Sequence, residues 1–277
     1  MATKIEGIIK KLMVRKYINL FIIYVWYVII FKIHHTMKSY LYQDLYKLED
    51  IHWWHISKRK IVQNMIKTYI KIKNLKILDV GCGAGKNMED LQKIGKVWGL
   101  DQSIDAIKYC KMRGLKNVFV GDAQKTNLSS DNFDVITLLD VLEHTDDNKT
   151  LKEMRRILKK DGIIIITVPA FSWLWSKWDE VLFHQRRYTR ENLIRTLENT
   201  HLYPLKVTYL YSFLVIPSLI IRKIKGIFFK NNYPSDFRLS NPFFNALLNL
   251  MASCEFYLAK HFTIPFGTSI IAIAKKE

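Results

Sequence analysis

Three carboxylates and a histidine carry the clearest chemistry in this sequence. Asp79 stands inside Leu78-Asp79-Val80-Gly81-Cys82-Gly83-Ala84-Gly85-Lys86, an apolar run that breaks into a glycine-rich turn. Glycines let the main chain turn tightly and leave it bare for a ligand to lie against. A dinucleotide fingerprint needs a third glycine where Lys86 stands, so that reading fails on spacing. Asp79 would repel a pyrophosphate and would attract an ammonium group. Asp101, followed by Gln102, comes 20 residues after Gly81 and can accept hydrogen bonds from both hydroxyls of a ribose. Asp122, in Gly121-Asp122-Ala123, can accept from an exocyclic adenine amine. His144, beside Glu143, is a candidate base for removing a proton from a hydroxyl nucleophile.

These residues must be held by strands. From residue 75 onward, short apolar runs alternate with helical patterns, which predicts βαβ units and a parallel sheet. Strands are expected at Leu75–Val80, Lys96–Leu100, Asn117–Val120, Phe133–Leu139, Ile163–Val168, Leu205–Leu210 and Ser269–Ala274. Helices are expected at Lys86–Ile94, Ser103–Arg113, Asp147–Lys160 and Thr189–Glu198, with Ser103 and Thr189 as caps. In this scheme the three acids end three successive strands, the edge at which open α/β sheets bind ligands. The last two strands are separated by 58 residues, too long for a hairpin loop. That stretch contains the apolar segment Tyr209–Ile221, a basic cluster (Arg222, Lys223, Lys225, Lys230) and a second apolar helix near Phe243–Leu258. It suits a lid, a membrane surface or a lipid-like substrate, and equally a small helical subdomain packed on the sheet.

The combined pattern resembles the class I S-adenosylmethionine-dependent methyltransferases over roughly residues 40–210 plus the last strand. Asp79–Gly85 resembles their first motif, Asp101 their ribose-binding acid, Asp122-Ala123 their adenine-side motif, and Leu138–His144 their fourth-strand motif. The resemblance implies a Rossmann-like seven-stranded sheet of order 3-2-1-4-5-7-6 with an antiparallel seventh strand. It also implies S-adenosylmethionine as cofactor, contacted by Asp79, Gly81, Cys82, Gly83, Asp101, Gln102, Asp122, Ala123 and Asp140. His144 and Glu143 are the implied catalytic pair. Tyr46–Arg59 resembles a cofactor-covering segment of a bacterial-type subset; Trp53 and Trp54 lie in it, and one ring is expected near the cofactor, where a sulfonium would attract its face. Asp140, Glu143 and His144 form D-x-x-E-H, with His184 further on. The cluster is similar to the E-x-x-E-H sites that bind a divalent cation in ubiquinone-pathway and small-RNA O-methyltransferases, with Asp here in place of the first Glu. Arg186, Arg187 and Arg190 are candidates for steadying an anionic substrate group. Phe171, Trp173, Trp175 and Trp178 are candidates for a substrate pocket wall.

Charge is uneven. Residues 1–76 hold 15 Lys+Arg against 4 acids, residues 77–200 hold 19 against 18, and residues 201–277 hold 9 against 3. Basic flanks attract phosphates or lipid headgroups. Tyr17–Phe31 is an apolar run bracketed by Arg15-Lys16 and Lys32; as a helix it spans about 22 Å, short of the hydrocarbon thickness. It reads as an anchoring or interfacial helix, or as an extension upstream of a start at Met37. The expected organisation is an apolar basic segment 1–36, a helical cap 37–74, a core 75–210, a helical insertion 211–267 and a final strand 268–277. Three separated cysteines suit a reducing, cytoplasmic setting and exclude a disulfide scaffold. The reading is a methyltransferase on the cytoplasmic side of a membrane, acting on an amphipathic or membrane-associated small molecule, with oxygen the candidate acceptor atom. The alternatives are an RNA methyltransferase and a cofactor-binding protein without catalysis. Nucleic acid is disfavoured because the apolar insertion is a poor phosphate track and no RNA-binding module is attached.

Overall fold

The computed structural model describes residues 39–220 and 241–276. Two helices come first, α1 (Ser39–Leu48) and α2 (Trp53–Tyr69). The alternating part follows: β1 (Leu75–Val80), α3 (Lys86–Leu91), β2 (Gly95–Asp101), α4 (Ile104–Met112), β3 (Val118–Val120), β4 (Phe133–Leu139), α5 (Asp147–Ile157) and β5 (Leu158–Pro169). Then come α6 (Lys177–Val181), α7 (Arg190–Asn199), β6 (Leu202–Leu210), α8 (Pro242–His261) and β7 (Ser269–Lys276). The strands form one sheet in the order β3-β2-β1-β4-β5-β7-β6, the order expected from the resemblance. β1 to β5 pair in parallel, and β7 runs antiparallel between β5 and β6.

Strands buried on both faces read as continuous apolar runs, and here alternate residues feed two cores. Leu78, Val80, Ile164 and Ile166 pack with Leu151, Met154 and Ile157 of α5 and with Leu193 and Leu197 of α7. Ile77, Val97, Ile163, Ile165 and Ile271 pack on the other face with Ile61 and Met65 of α2 and with Ala252 and Phe256 of α8. The expected caps are present: Ser103 accepts from Ala106 N and Thr189 from Asn192 N.

Several boundaries differ from the sequence pattern: the helix expected over Lys86–Ile94 ends at Leu91, β7 runs on to Lys276, and two further differences have a clear local cause. The helix expected to run to Lys160 ends at Ile157, because Leu158 already pairs with Phe133 and Lys159 reaches Asp134 Oδ1 at 2.7 Å. Asp161, at φ 64°, and Gly162 form a local irregularity before Ile163 resumes the ladder with Val135. β6 starts at Leu202 rather than Leu205; Pro204 sits at a register shift of this edge strand, where a missing N–H costs little. The apolar run Tyr17–Phe31 and the basic cluster from Arg222 to Lys230 lie outside the described residues. Among the described residues no helix is long and apolar enough to cross a membrane.

Candidate functional site

Strand order reverses between β1 and β4, so their carboxyl ends open a crevice that no crossover helix covers. The glycine-rich turn follows β1 there. Gly81, Gly83 and Gly85 have φ of 69°, 54° and 90°, a region that side chains with a Cβ avoid. A Cβ on Gly81 would strike the Val141 side chain, so the turn packs directly on the loop after β4.

Asp79 is 2% exposed. Its Oδ1 accepts from Thr137 Oγ1 (2.6 Å) and Asn87 Nδ2 (2.9 Å), while Oδ2 has no hydrogen-bond partner. Burial raises its pKa to about 6, against the pull of those two donors. Asp101 ends β2, accepting from Gly83 N (3.0 Å) and Ser103 N (2.9 Å); burial pushes its carboxyl up against these backbone donors. Two acids thus flank one bare turn, and one buried oxygen lacks a partner. This donor set fits a cationic nucleoside–amino-acid ligand, which Asp79, Gly81, Cys82, Gly83 and Asp101 could hold. Gln102 is exposed beside Asp101. Asp122 is exposed and its Oδ1 accepts from Gln124 N at 2.8 Å, a local turn; Ala123 is buried.

The segment Tyr46–Arg59, expected as a cover, reaches this turn through contacts that the sequence reading did not specify. Glu49, at the end of α1, accepts from Lys86 N (3.2 Å) and pairs with Arg113 (3.5 Å). Burial raises its pKa to about 7, opposed mainly by Arg113. Arg113 also donates to Ala84 O and Tyr46 O, tying α1 to the glycine turn. Its signal in the sequence was an arginine at a helix end, which alone says nothing about its partners.

Asp140 departs from its expected place. Its carboxylate pairs with buried Lys58 of α2 and accepts from Thr167 Oγ1 at 2.9 Å. It is absent from the group formed by Glu143, His144 and His184, whose ligand atoms lie within 4.8 Å of one another. Of the two tryptophans, Trp53 is the buried ring and Trp54 the half-buried one, in line with the expected mixed role of one ring buried. Trp53 packs against Tyr211 and Phe213, and the cation over the Trp54 ring is Lys58 Nζ, 3.3 Å from its centroid.

Glu143 is fully buried and neither of its carboxylate oxygens has a hydrogen-bond partner. Burial, then the neighbouring Asp140, holds its pKa well above the ordinary range. His184 Nδ1 lies 2.9 Å from Asp179 Oδ1. Ionised carboxylates only accept, so Nδ1 carries a proton, and in the neutral ring Nε2, 3.9 Å from Glu143 Oε1, presents a lone pair. His144 Nδ1 likewise faces the Phe183 carbonyl at 3.3 Å, which leaves its Nε2 unprotonated. Burial and the adjacent His184 lower the His144 pKa to about 4. Asp179 is pushed up by burial, yet His184 and Arg187 hold it at about 2. A carboxylate behind a ligating histidine is the usual way such a ring is oriented. Asp179 was invisible to motif reading, since it lies in the short helix α6, five positions before His184.

The arginines proposed for an anionic substrate are internal supports. Arg187 pairs with Asp179 (2.7 Å), Arg186 with Asp147 (3.1 Å), and Arg190 donates to Val207 O (2.9 Å). Of the aromatic set, Phe171 stacks on Tyr209 and Trp173, while Trp173 (56%) and Trp175 (39%) are exposed past the end of β5.

Comparison with known proteins places this geometry. A methyltransferase-domain family matches residues 78–166. An uncharacterised protein of Methanocaldococcus jannaschii is 34% identical over 128 residues, 46% of this chain and 47% of that one. A ubiquinone biosynthesis O-methyltransferase of Pelagibacter ubique is 33% identical over 120 residues, 39% of this chain and 50% of that one. The chain thus spans about half the length of the curated relatives it matches. A structure of an S-adenosylmethionine-dependent methyltransferase from Thermotoga maritima, described as a possible histamine N-methyltransferase, superposes with a TM-score of 0.54 at 17% identity. It covers 85% of this chain and 94% of its own. The acid-flanked turn at the β1/β4 switch point lies within the matched segment: residues 78–166 match a methyltransferase-domain family, and the chain has the fold seen in S-adenosylmethionine-dependent methyltransferases.

Proposed function

We propose that this protein transfers a methyl group from S-adenosylmethionine to an oxygen of an amphipathic small molecule, with Glu143, His144 and His184 holding a divalent cation beside the acceptor. One observation carries the finer part of the reading: a fully buried carboxylate with two unpartnered oxygens faces two imidazoles whose Nε2 atoms bear lone pairs. Uncompensated buried charge is costly, and a cation removes that cost.

S-adenosylmethionine, when bound, supplies a methyl group made electrophilic by its sulfonium. Asp101 orients a ribose, and Asp79 offers its unpartnered Oδ2 to an ammonium. Gly81 and Gly83 admit the ligand against bare backbone, and most of the rate in such a displacement comes from alignment. A cation at Glu143, His144 and His184 would polarise an acceptor hydroxyl and lower its pKa. Asp179 keeps His184 in the tautomer that can ligate. Without a cation, His144 Nε2 is the atom placed to accept the acceptor's proton. Exposed Trp173 and Trp175 at the same edge support an apolar acceptor, as does the name of the Pelagibacter relative. Together with the basic flanks, this supports work at a membrane surface.

The test uses purified full chain, labelled S-adenosylmethionine, and lipid, soluble and RNA fractions, with and without a chelator. Label entering the lipid fraction and lost on chelation is expected. Chelator-insensitive transfer in a metal-stripped sample overturns the cation, and label entering RNA overturns the acceptor class.

A further inference from the structure

The outward side of α8 is the largest apolar feature that methyl transfer does not use. Phe243, Leu247, Leu250, Cys254 and Tyr257 recur at intervals of four and three residues and form one stripe, all exposed among the described residues. Phe243 is 70%, Leu250 60% and Tyr257 67% exposed. Phe244, Met251 and Leu258 widen the stripe. Over the 20 residues of α8 this face extends about 30 Å. The helix's single acid, Glu255, turns inward and accepts from Tyr211 N and Ser212 N, so the outward stripe carries no acidic charge.

An ordinary amphipathic helix hides its apolar side and shows its polar side. This one buries Ala252, Phe256 and Ala259 against the core and shows a second apolar side to solvent. A large exposed apolar patch marks an interaction surface. Its surroundings indicate the partner. Residues 221–240, which leave the described chain after exposed Ile220 and rejoin it just before α8, contain Arg222, Lys223, Lys225, Lys230 and Arg238 against Asp236 alone. Lys260 and His261 close the other end of α8. An uncharged apolar stripe ending in Lys260 and His261, on a helix preceded in the sequence by a basic run, is complementary to acyl chains beneath anionic headgroups. A second copy of this chain would bring together two molecules of net charge +18, which disfavours self-association.

We propose that the Phe243–Tyr257 stripe of α8 docks this protein on an anionic lipid bilayer, lying in the interface rather than crossing it. The proposal deepens the membrane part of the functional reading and rests on it only for its biological purpose.

Cys254 makes the face directly observable, because Cys82 and Cys110 are buried while Cys254 is exposed on the stripe. The full chain is labelled there with an environment-sensitive maleimide. It is then mixed with vesicles of phosphatidylcholine alone, or of equimolar phosphatidylcholine and phosphatidylglycerol. A blue shift and co-sedimentation with the anionic vesicles are expected, with binding at least tenfold weaker to neutral ones. The double variant Leu250→Glu, Tyr257→Glu is expected to lose at least tenfold in anionic-vesicle binding while keeping its circular dichroism. Equal binding by the variant overturns the proposal by placing attachment elsewhere, as does a chain that binds no vesicles. A dimer dissolved by the same variant would assign the face to a second copy. A Cys254 that resists labelling in the folded chain would assign it to residues 1–38 or 221–240. Calorimetry with S-adenosylhomocysteine on the same samples separates the two questions: absent binding there overturns methyl transfer and leaves the docking result standing.

Discussion

Asp79→Asn should stabilise the ligand-free protein while weakening its grip on the cofactor. Asp79 is buried, and its pKa is raised from the ordinary 3.8 to about 6, which at neutral pH costs folding about 3 kcal/mol. The direction follows from proton linkage. The unfolded chain releases this proton near its ordinary pKa and the folded chain holds it until higher pH. The stability contribution is therefore full at low pH, falls as pH rises through about 6, and stays lost above it. Asparagine removes the charge and keeps an acceptor for Thr137 Oγ1 and Asn87 Nδ2. Its new amide meets no acceptor where Oδ2 stood, which takes back roughly 1–2 kcal/mol. A net gain of about 1–2 kcal/mol remains, or roughly 2–6 °C in Tm for a chain of this size. Calorimetric titration with S-adenosylhomocysteine should show at least a tenfold loss of affinity in the same variant, since a charge-assisted bond is worth roughly 1.5–3 kcal/mol. Differential scanning calorimetry at several pH values should show the wild type losing stability between about pH 4 and 6 relative to the variant. A variant that melts lower at neutral pH and binds S-adenosylhomocysteine undiminished would refute the reasoning on both counts.

Asp101→Ala removes the acceptor beside Gly83 N, and isothermal calorimetry should register a roughly hundredfold loss of S-adenosylhomocysteine affinity if two hydroxyl bonds go with it. Glu143→Gln should abolish the rise in Tm that magnesium, manganese or zinc gives the wild type, while leaving the metal-free fold intact; a metal-induced shift of equal size in the variant would exclude Glu143 as a ligand. Lys58→Met leaves the Asp140 carboxylate without its cation and should destabilise the protein by about 2–4 kcal/mol, most of it recovered in the Lys58→Met, Asp140→Asn double variant, as urea melts of the four proteins would show.

The contrast between Asp101 and Asp140 shows how far a motif carries. Asp101 was legible because its surroundings are local: the end of an apolar run, then a helix cap two residues on, with Ser103 N as one of its donors. Asp140 was read as a cofactor or metal contact from its spacing to Glu143, yet Lys58, 82 residues earlier, claims its carboxylate. Trp53 and Trp54 were legible as an aromatic pair covering the site, but their division of labour depended on where Tyr211 and Lys58 came to lie.

The same distinction applies to the whole molecule. The strands and the acid-flanked glycine turn were readable in the chain, because apolar periodicity, caps and turn residues act over a few neighbours, whereas the strand order followed from the family resemblance that those motifs carry. Glu49 over the glycine turn, Asp179 behind His184, the three-residue group that leaves Asp140 out, and the outward stripe of α8 were decided only in three dimensions. The contacts among these join residues whose separation along the chain carries no periodic signal, and the exposure of the stripe depends on what packs against α8. Burial then sets the strength of those contacts, and burial is a property of the packed whole rather than of any segment.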